Sequence, residues 1–230
     1  MNEPARGGAM RLLLINPNTS AHITERLAAS ARRALPPGST LTALTAAEGP
    51  QAVRSAEEVP AATRNVIHMA RDHGPGHDAV LIGISLDCGL DETRRQNAPQ
   101  PVVGMTEAAC FMACLHGPRF GLLTLGATME PLYQAHVEQL GLAQRLVGLA
   151  APNMPHAFSA SADSVSTELL ERLAIAAQPL MDDGAESLVL AGAVLCGYAP
   201  ALSARLGRPV LDGMVCAVQL TCARLSLSAA

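Results

Sequence analysis

Short apolar runs alternate along this chain with longer amphipathic stretches. The runs are continuously apolar over about the length of a strand, which is typical of parallel strands buried on both faces. The amphipathic stretches, clearest at 21–35, 56–72 and 166–182, carry apolar residues at helical spacing. The predicted strands are 12–15, 40–45, 79–85, 102–104, 121–124, 146–150, 188–193 and 210–211. This order predicts an α/β fold with parallel sheets.

The same order of elements occurs twice, with an offset of 108 positions. The pairs that share it are RLLLI at 11 with RFGLL at 119, DAVLIGISLDCGL at 78 with ESLVLAGAVLCGY at 186, and PV at 101 with PV at 209. Separated matches at one offset indicate a duplication. We therefore predict a flexible extension over 1–10 and two similar lobes, 11–108 and 109–230, each with a four-stranded parallel sheet. Helices 106–116 and 215–225 follow the last strand of each lobe, and one of them is expected to pack on the other lobe.

Composition narrows the class of protein further. The 230 residues are 49% hydrophobic and 16% charged, as expected of a globular chain. A net charge of −4, with 2% aromatic residues and no Trp, argues against nucleic-acid binding. No apolar run reaches the roughly 18 residues of a membrane helix, and the N-terminus lacks the apolar region of a secretory signal. We expect a cytoplasmic protein with reduced thiols and no membrane partner.

Loops at the carboxyl ends of parallel strands usually build the binding site, and two related lobes would face each other there across a cleft. The first strand leads into INPNTS, whose amide and hydroxyl groups, with the N–H groups of the next helix, could hold a carbonyl or carboxylate oxygen. An elaborate helix cap explains the same residues equally well. The predicted substrate-binding residues are Asn16, Asn18, Thr19, Ser85, Asp87, Thr124, Gly126, Thr128, Gly192 and Gly197.

Two cysteines also obey the offset of 108 positions. Cys88 and Cys196 each follow the third predicted strand of a lobe and precede a glycine. A thiol at a helix N-terminus is favoured as thiolate, so we expect a lowered pKa and two catalytic sulfurs on opposite sides of a bound molecule. Free cysteines are otherwise often core residues. Asp87 could orient a substrate N–H or oppose thiolate formation.

The remaining chemistry-bearing residues give weaker signals. Cys110, Cys114, Cys216 and Cys222 lie in apolar helical stretches, which favours packing. The histidines show no metal-ligand spacing. No glycine-rich nucleotide signature and no G-x-S-x-G nucleophile elbow occurs. We predict no metal and no cofactor.

Several segments together resemble one family. They are LLLINPNTS from 12, AAEGP at 46–50, DAVLIGISLDCGLD from 78, PVVGMTEAA at 101–109, RFGLLT at 119–124, GAESLVLAG at 184–192 and RPVLDGM at 208–214. The chain resembles the hydantoin and allantoin racemase branch of the aspartate/glutamate racemase superfamily over about 11–220. The resemblance implies two Rossmann-like lobes related by a pseudo-dyad, a cofactor-independent reaction on a small molecule and a homo-oligomer.

The resemblance also implies a reaction, with one departure. A cysteine from each lobe would act as acid or base on a carbon next to a carbonyl, in a hydantoin-like or amino-acid-derived substrate. Aligned without gaps, however, the family's cysteines fall at Ile84 and Gly192. Cys88 and Cys196 each stand four residues later, and their equal displacement favours two rebuilt loops over unrelated cysteines.

Two other functions stay open at this point. One is another reaction of the same superfamily, either decarboxylation or cis-trans isomerisation of a small dicarboxylic acid. The other is a protein that binds a small molecule without turning it over. The loss of cysteine at 84 and 192 is compatible with both, and small loop residues do not define the substrate side chain.

Overall fold

A computed structural model describes residues 9–154 and 165–228, so most of the predicted N-terminal extension lies outside the described residues. Strands and helices alternate along the chain as the hydrophobic pattern predicts. The strands are β1 (Arg11–Asn16), β2 (Thr40–Thr45), β3 (Ala79–Ile82), β4 (Val102–Gly104), β5 (Phe120–Leu123), β6 (Leu146–Ala150), β7 (Ser187–Leu190) and β8 (Val210–Asp212). The helices are α1 (Ala21–Arg32), α2 (Val59–His73), α3 (Leu90–Asn97), α4 (Met105–Ala113), α5 (Glu130–Gln139), α6 (Thr167–Asp182), α7 (Ala199–Leu206) and α8 (Gly213–Ser228).

The described strands form two four-stranded parallel sheets with the same topology. The strand order is β2-β1-β3-β4 in the first sheet and β6-β5-β7-β8 in the second. Strands β3 and β7 begin 108 positions apart, as do β4 and β8. The predicted fold class is therefore confirmed. Strand β3 ends at Ile82, earlier than predicted, because the chain turns away from the sheet after Gly83 donates its N–H to the Ile15 carbonyl.

Both faces of the first sheet are buried, since successive side chains point to opposite sides of a strand. Leu12, Leu14 and Leu81 belong to a large hydrophobic core that also contains the second sheet. Their neighbours in sequence, such as Leu13 and Val80, belong to a smaller core under α2 and α3. The large core therefore continues from one lobe into the other.

The last helix of each lobe contacts the other lobe. Helix α4 follows β4 of the first sheet and contacts β7 of the second, while α8 follows β8 and contacts α1 and β4 of the first. The two helices also contact each other. The N-termini of both helices lie in the interior, where their unpaired N–H groups need acceptors.

A buried carboxylate caps each of these two helices. Asp212 accepts hydrogen bonds from the N–H groups of Met214 and Val215 at 3.0 and 3.2 Å. Its other oxygen accepts from Ser30 on α1 and from the Gly197 N–H, both at 2.6 Å. One side chain thus connects the start of α8, a loop of the second lobe and a helix of the first.

Asp87 takes the corresponding position at α4, although it comes from a different place in the chain. It accepts from the N–H groups of Thr106 and Glu107 at 3.2 and 2.7 Å. The residue equivalent to Asp212 is Gly104, where an added Cβ would lie 2.4 Å from the Asp87 carboxyl carbon. Asp87 also adopts a positive φ of 47°, which costs free energy outside glycine.

In the described part of the chain, no helix combines the length and the apolar character needed to cross a membrane.

We expect Asp212→Ala to lower the free energy of unfolding by about 2 to 4 kcal/mol, because it leaves buried donors without an acceptor. Urea unfolding followed by circular dichroism measures this change. The matched control is Glu171→Ala, which removes an exposed ion pair with Arg205 and should cost less than about 1 kcal/mol. Equal effects of the two substitutions would contradict the assigned role of Asp212.

Candidate active site

A cleft opens where the carboxyl ends of the two sheets face each other. Its volume is about 140 Å³, which suits a small molecule. The wall comes mainly from loops that follow the central strands β1, β3, β5 and β7. The lining residues are Asn18, Ile23, Ala52, Val53, Arg54, Ile84, Ser85, Thr124, Leu125, Gly126, Thr128, Met129, Tyr133, Gly192, Ala193 and Val194.

The duplication is visible in this wall. Asn18 and Gly126 are 108 positions apart, as are Ile84 and Gly192, and both pairs line the cleft. The two lobes therefore contribute equivalent loops, as the repeat predicts. The side chains differ, because the first lobe presents larger groups at these positions than the second.

The INPNTS turn is held together by its own side chains. The buried Asn16 amide donates to Asn18 Oδ1 at 3.0 Å and to Thr24 Oγ1 at 2.9 Å. Asn18 Oδ1 also accepts from the Ser20 N–H at 3.0 Å. These bonds leave the Asn18 NH₂ group as the end that can donate to a ligand in the cleft. Asn16 therefore positions Asn18 and does not line the cleft itself.

Hydroxyl groups from both lobes meet in the cleft wall. Ser85, after β3, and Tyr133, on α5, lie with their oxygens 2.5 Å apart. Thr124, after β5, is close enough for its hydroxyl to lower the pKa of Tyr133. Burial has the larger effect and raises that pKa above its ordinary value, so the phenol stays protonated at neutral pH.

The structure places neither predicted catalytic cysteine in the cleft wall. Cys88 packs in the smaller core, beside the Thr63 hydroxyl of α2, and borders a separate groove with Asp87 and His136. Cys196 is 2% exposed and lies in the large core near Asp212. The expected arrangement, with two sulfurs facing each other across the cleft, is not the one seen.

The expected direction of the thiol pKa shift is also wrong. Burial raises the pKa of Cys88 to about 12, with a smaller contribution from the Asp87 carboxylate, although the Thr63 hydroxyl lowers it. Burial and the Asp212 carboxylate raise the pKa of Cys196 well above its ordinary value. Both cysteines precede helices, but desolvation of a buried thiolate outweighs the helix dipole.

Six of the ten predicted substrate-binding residues line the cleft. They are Asn18, Ser85, Thr124, Gly126, Thr128 and Gly192. Asp87 is occupied as a helix cap and by His136 Nε2 at 3.0 Å. Gly197 donates its N–H to Asp212, and the Thr19 N–H bonds to the Pro50 carbonyl. These two residues, like Asn16, shape the loops behind the wall. A binding role for the six lining residues stays a prediction.

Sequence reasoning missed two polar residues of the wall. Arg54 comes from the loop after β2. Because loops at the carboxyl ends of parallel strands usually build the binding site, its place in that loop could have suggested it. Tyr133 comes from the first turns of α5 and gives no local signal beyond being one of two tyrosines in the chain. The apolar lining residues, such as Ile23 and Met129, look like ordinary core positions in the sequence.

The geometry of the cleft is suited to an oxygen-bearing ligand. Its polar groups are amide, hydroxyl and guanidinium donors, and the described wall contains no carboxylate. Among the described residues, no cluster of three or more His, Cys, Asp or Glu could hold a metal ion. The apolar lining residues offer space for a hydrophobic substituent beside the polar groups.

Fold and site together define a class: two-lobed α/β proteins with a small-molecule cleft between two duplicated parallel sheets. The family model for Asp/Glu/hydantoin racemases matches residues 12–221. The chain belongs to this family, as the resemblance in its sequence indicated.

This chain is similar to individual relatives over nearly its whole length. A hydantoin racemase from Paenarthrobacter aurescens is 31% identical over 207 residues, which cover 88% of this chain and 86% of that protein. An allantoin racemase from Klebsiella pneumoniae superimposes with a TM-score of 0.88 at 27% identity, covering 96% of this chain and 89% of that one. Arylmalonate decarboxylase, at 18% identity and a TM-score of 0.62, shares the fold.

We expect iodoacetamide at neutral pH to label the half-buried Cys114 and Cys222 first. The buried Cys88 and Cys196 should react only after unfolding in urea, because alkylation needs an accessible thiolate. Mass spectrometry of digested protein measures the order. Early labelling of Cys88 or Cys196 would show that these thiols do reach solvent.

Proposed function

We propose that this chain is a cofactor-independent racemase or epimerase that inverts a carbon next to a carbonyl in a hydantoin-like or amino-acid-derived compound. One observation carries the proposal: the similarity to hydantoin and allantoin racemases extends over about nine-tenths of the chain, with 88% of it covered by the Paenarthrobacter relative and 96% by the Klebsiella structure.

The cleft supports this reaction in two ways. Removal of a proton next to a carbonyl moves negative charge onto the carbonyl oxygen, and preorganised donors stabilise that charge. The Asn18 amide and the hydroxyls of Ser85 and Tyr133 are such donors. The small volume and the apolar residues on both sides restrict how a ring with one substituent can lie.

The proton route requires an acid and a base on opposite faces of one carbon. In the two-thiol version, one cysteine removes the proton and the opposite one returns a proton to the other face of the same carbon. Such a positioned acid and base contribute roughly 10²- to 10⁴-fold to a rate. Cys88 and Cys196 stay the predicted pair, but their buried positions give this version no support.

The proposed ligand, location and assembly complete the description of the enzyme. The ligand is a small molecule, as are the compounds in the relatives' names. A cytoplasmic location and assembly into a homo-oligomer stay predictions, and sedimentation of the purified protein would test the second one.

We expect one enantiomer of 5-isopropylhydantoin, incubated with the protein in D₂O, to lose optical rotation and gain deuterium at the ring carbon. Inversion removes that proton and returns one from solvent, whereas a decarboxylase would leave this hydantoin, which has no carboxyl group, unchanged. Polarimetry and mass spectrometry measure the two changes against a protein-free sample, which gives the spontaneous rate.

A variant that fills the cleft shows whether this site is responsible. Ala193→Phe places a ring against the wall and should lower kcat/KM by about 100-fold, because the substrate can no longer take its position. The control, Ile175→Phe, lies on α6 where the side chain is 69% exposed, and should leave kcat/KM unchanged. Full activity of Ala193→Phe would locate the reaction elsewhere.

A second candidate function is binding without turnover, and one observation favours it. Ile84 and Gly192, where the family's cysteines fall in a gap-free alignment, both line the cleft, and the described wall contains no thiol. A cleft that keeps its donors but lacks an acid and a base would hold the ligand and leave its stereochemistry unchanged.

Under this second candidate, the double variant Ile84→Cys with Gly192→Cys should gain exchange activity that the parent lacks. Gly192 has an extended φ of 167°, and an added Cβ would lie 3.3 Å from the Leu195 side chain, so a cysteine fits with a small adjustment. Deuterium exchange measures the gain, and a ligand-induced rise in Tm shows that the parent binds. Faster exchange by the parent than by the double variant would contradict this candidate.

A further inference from the structure

Three hydroxyl side chains form a connected group in the cleft wall, which we call the hydroxyl chain: Ser85, Tyr133 and Thr124. Ser85 and Tyr133 share a hydrogen bond of 2.5 Å, and Thr124 adjoins the Tyr133 phenol. Each is more than nine-tenths buried, with exposures of 7%, 3% and 2% in that order. All three nevertheless border the cleft.

One of the three hydroxyl protons has no acceptor within the hydroxyl chain. The hydrogen bond between Ser85 and Tyr133 uses one of the three hydroxyl protons, and a bond between Thr124 and Tyr133 would use a second. The described structure shows no hydrogen bond from any of the three to a backbone carbonyl. Wherever the remaining proton resides, it needs an oxygen or nitrogen acceptor, and the cleft is the space that a ligand acceptor would occupy.

The hydroxyl chain also joins the two lobes. Ser85 belongs to the loop after β3 in the first lobe, whereas Thr124 and the helix of Tyr133 belong to the second. The hydroxyl chain lies beside Ile84, the residue at which the family's first cysteine falls in the gap-free alignment. A ligand lying between Ile84 and Gly192 therefore meets the hydroxyl chain at one side of the cleft.

Tyr133 stands out within the wall by its chemistry. Among the described lining residues, Tyr133 and Arg54 are the ionisable ones, and Arg54 is exposed. A buried donor interacts more strongly with a developing negative charge than an exposed one, because the local dielectric constant is lower.

We propose that Tyr133, supported by Ser85 and Thr124, is a catalytic residue that donates a hydrogen bond to the substrate carbonyl oxygen as it becomes an enolate oxygen. This inference rests on the proposed function. It names the substrate feature that the cleft recognises, which is an uncharged carbonyl oxygen next to an acidic carbon. No covalent bond to the protein forms, and the phenol keeps its proton throughout.

The electrostatic environment agrees with a donor role. Burial, and to a smaller extent the Asp87 carboxylate, raise the pKa of Tyr133, while the hydroxyls of Ser85 and Thr124 lower it. Among the ionisable groups around Tyr133, Asp87 on the loop after β3 acts on its pKa, His136 on the same helix bonds to Asp87, and Arg54 on the loop after β2 lines the same cleft. A phenol with a raised pKa remains a neutral donor over the physiological pH range.

The test compares Tyr133→Phe with Ser85→Ala and Tyr198→Phe. Tyr198 is fully buried away from the cleft, and its hydroxyl accepts from the Ser166 N–H at 2.9 Å. For deuterium exchange with 5-isopropylhydantoin, Tyr133→Phe should lower kcat by about 100-fold with little change in KM, since the bond strengthens as the enolate forms. Ser85→Ala should lower kcat less, and Tyr198→Phe should leave it within about twofold of the parent.

Two further measurements separate catalysis from folding. The parent's kcat should fall at high pH as the phenol ionises, and Tyr133→Phe should lack that decline. Because the chain contains no Trp and two Tyr, Tyr198→Phe leaves Tyr133 as the one tyrosine chromophore. Its absorption should shift when 5-isopropylhydantoin binds.

The outcomes distinguish this inference from the proposed function. A kcat for Tyr133→Phe within threefold of an active parent would overturn the inference and leave the racemase proposal standing. A parent without exchange would end the racemase proposal and the catalytic role of Tyr133 with it. Absence of a tyrosine absorption shift when 5-isopropylhydantoin binds to Tyr198→Phe would overturn the donor role alone.

Discussion

The buried N-termini of α4 and α8 are the constraint on which the rest of the molecule depends. Each helix leaves one sheet and packs on the other lobe, so its first N–H groups enter an interior without water. Asp87 and Asp212 satisfy those groups, and each also bonds to a residue of another element, His136 or Ser30. The relative position of the two lobes, and hence the width of the cleft, follows from these two carboxylates.

The same carboxylates fix the loops that form the cleft. The loop after β3, in which Asp87 has a positive φ, contributes Ile84 and Ser85 to the wall. Asp212 binds the Gly197 N–H and so holds the loop that carries Gly192. Cys88 and Cys196 come next to these anchored positions and point into the packing against α2 and the start of α8.

The cleft lies in a fold that this chain shares with allantoin racemases. The similarity to hydantoin and allantoin racemases covers about nine-tenths of the chain, with 88% and 96% of it matched. Chemistry in such a cleft depends on very few side chains, and the described wall contains no thiol. What remains is a donor-rich wall with a buried phenol, which is suited to stabilising negative charge on an oxygen.

The α/β fold, the duplication and six residues of the wall could be predicted from the sequence, because continuous apolar runs and an offset of 108 positions constrain strand burial and order. The folded molecule was needed to see that Cys88 and Cys196 face the cores, and that Tyr133 reaches the cleft from α5. The reason is that side-chain direction in an irregular loop depends on partners far away in the chain. Asp87, for example, is held by Thr106, Glu107 and His136, and no local pattern around Cys88 encodes those contacts.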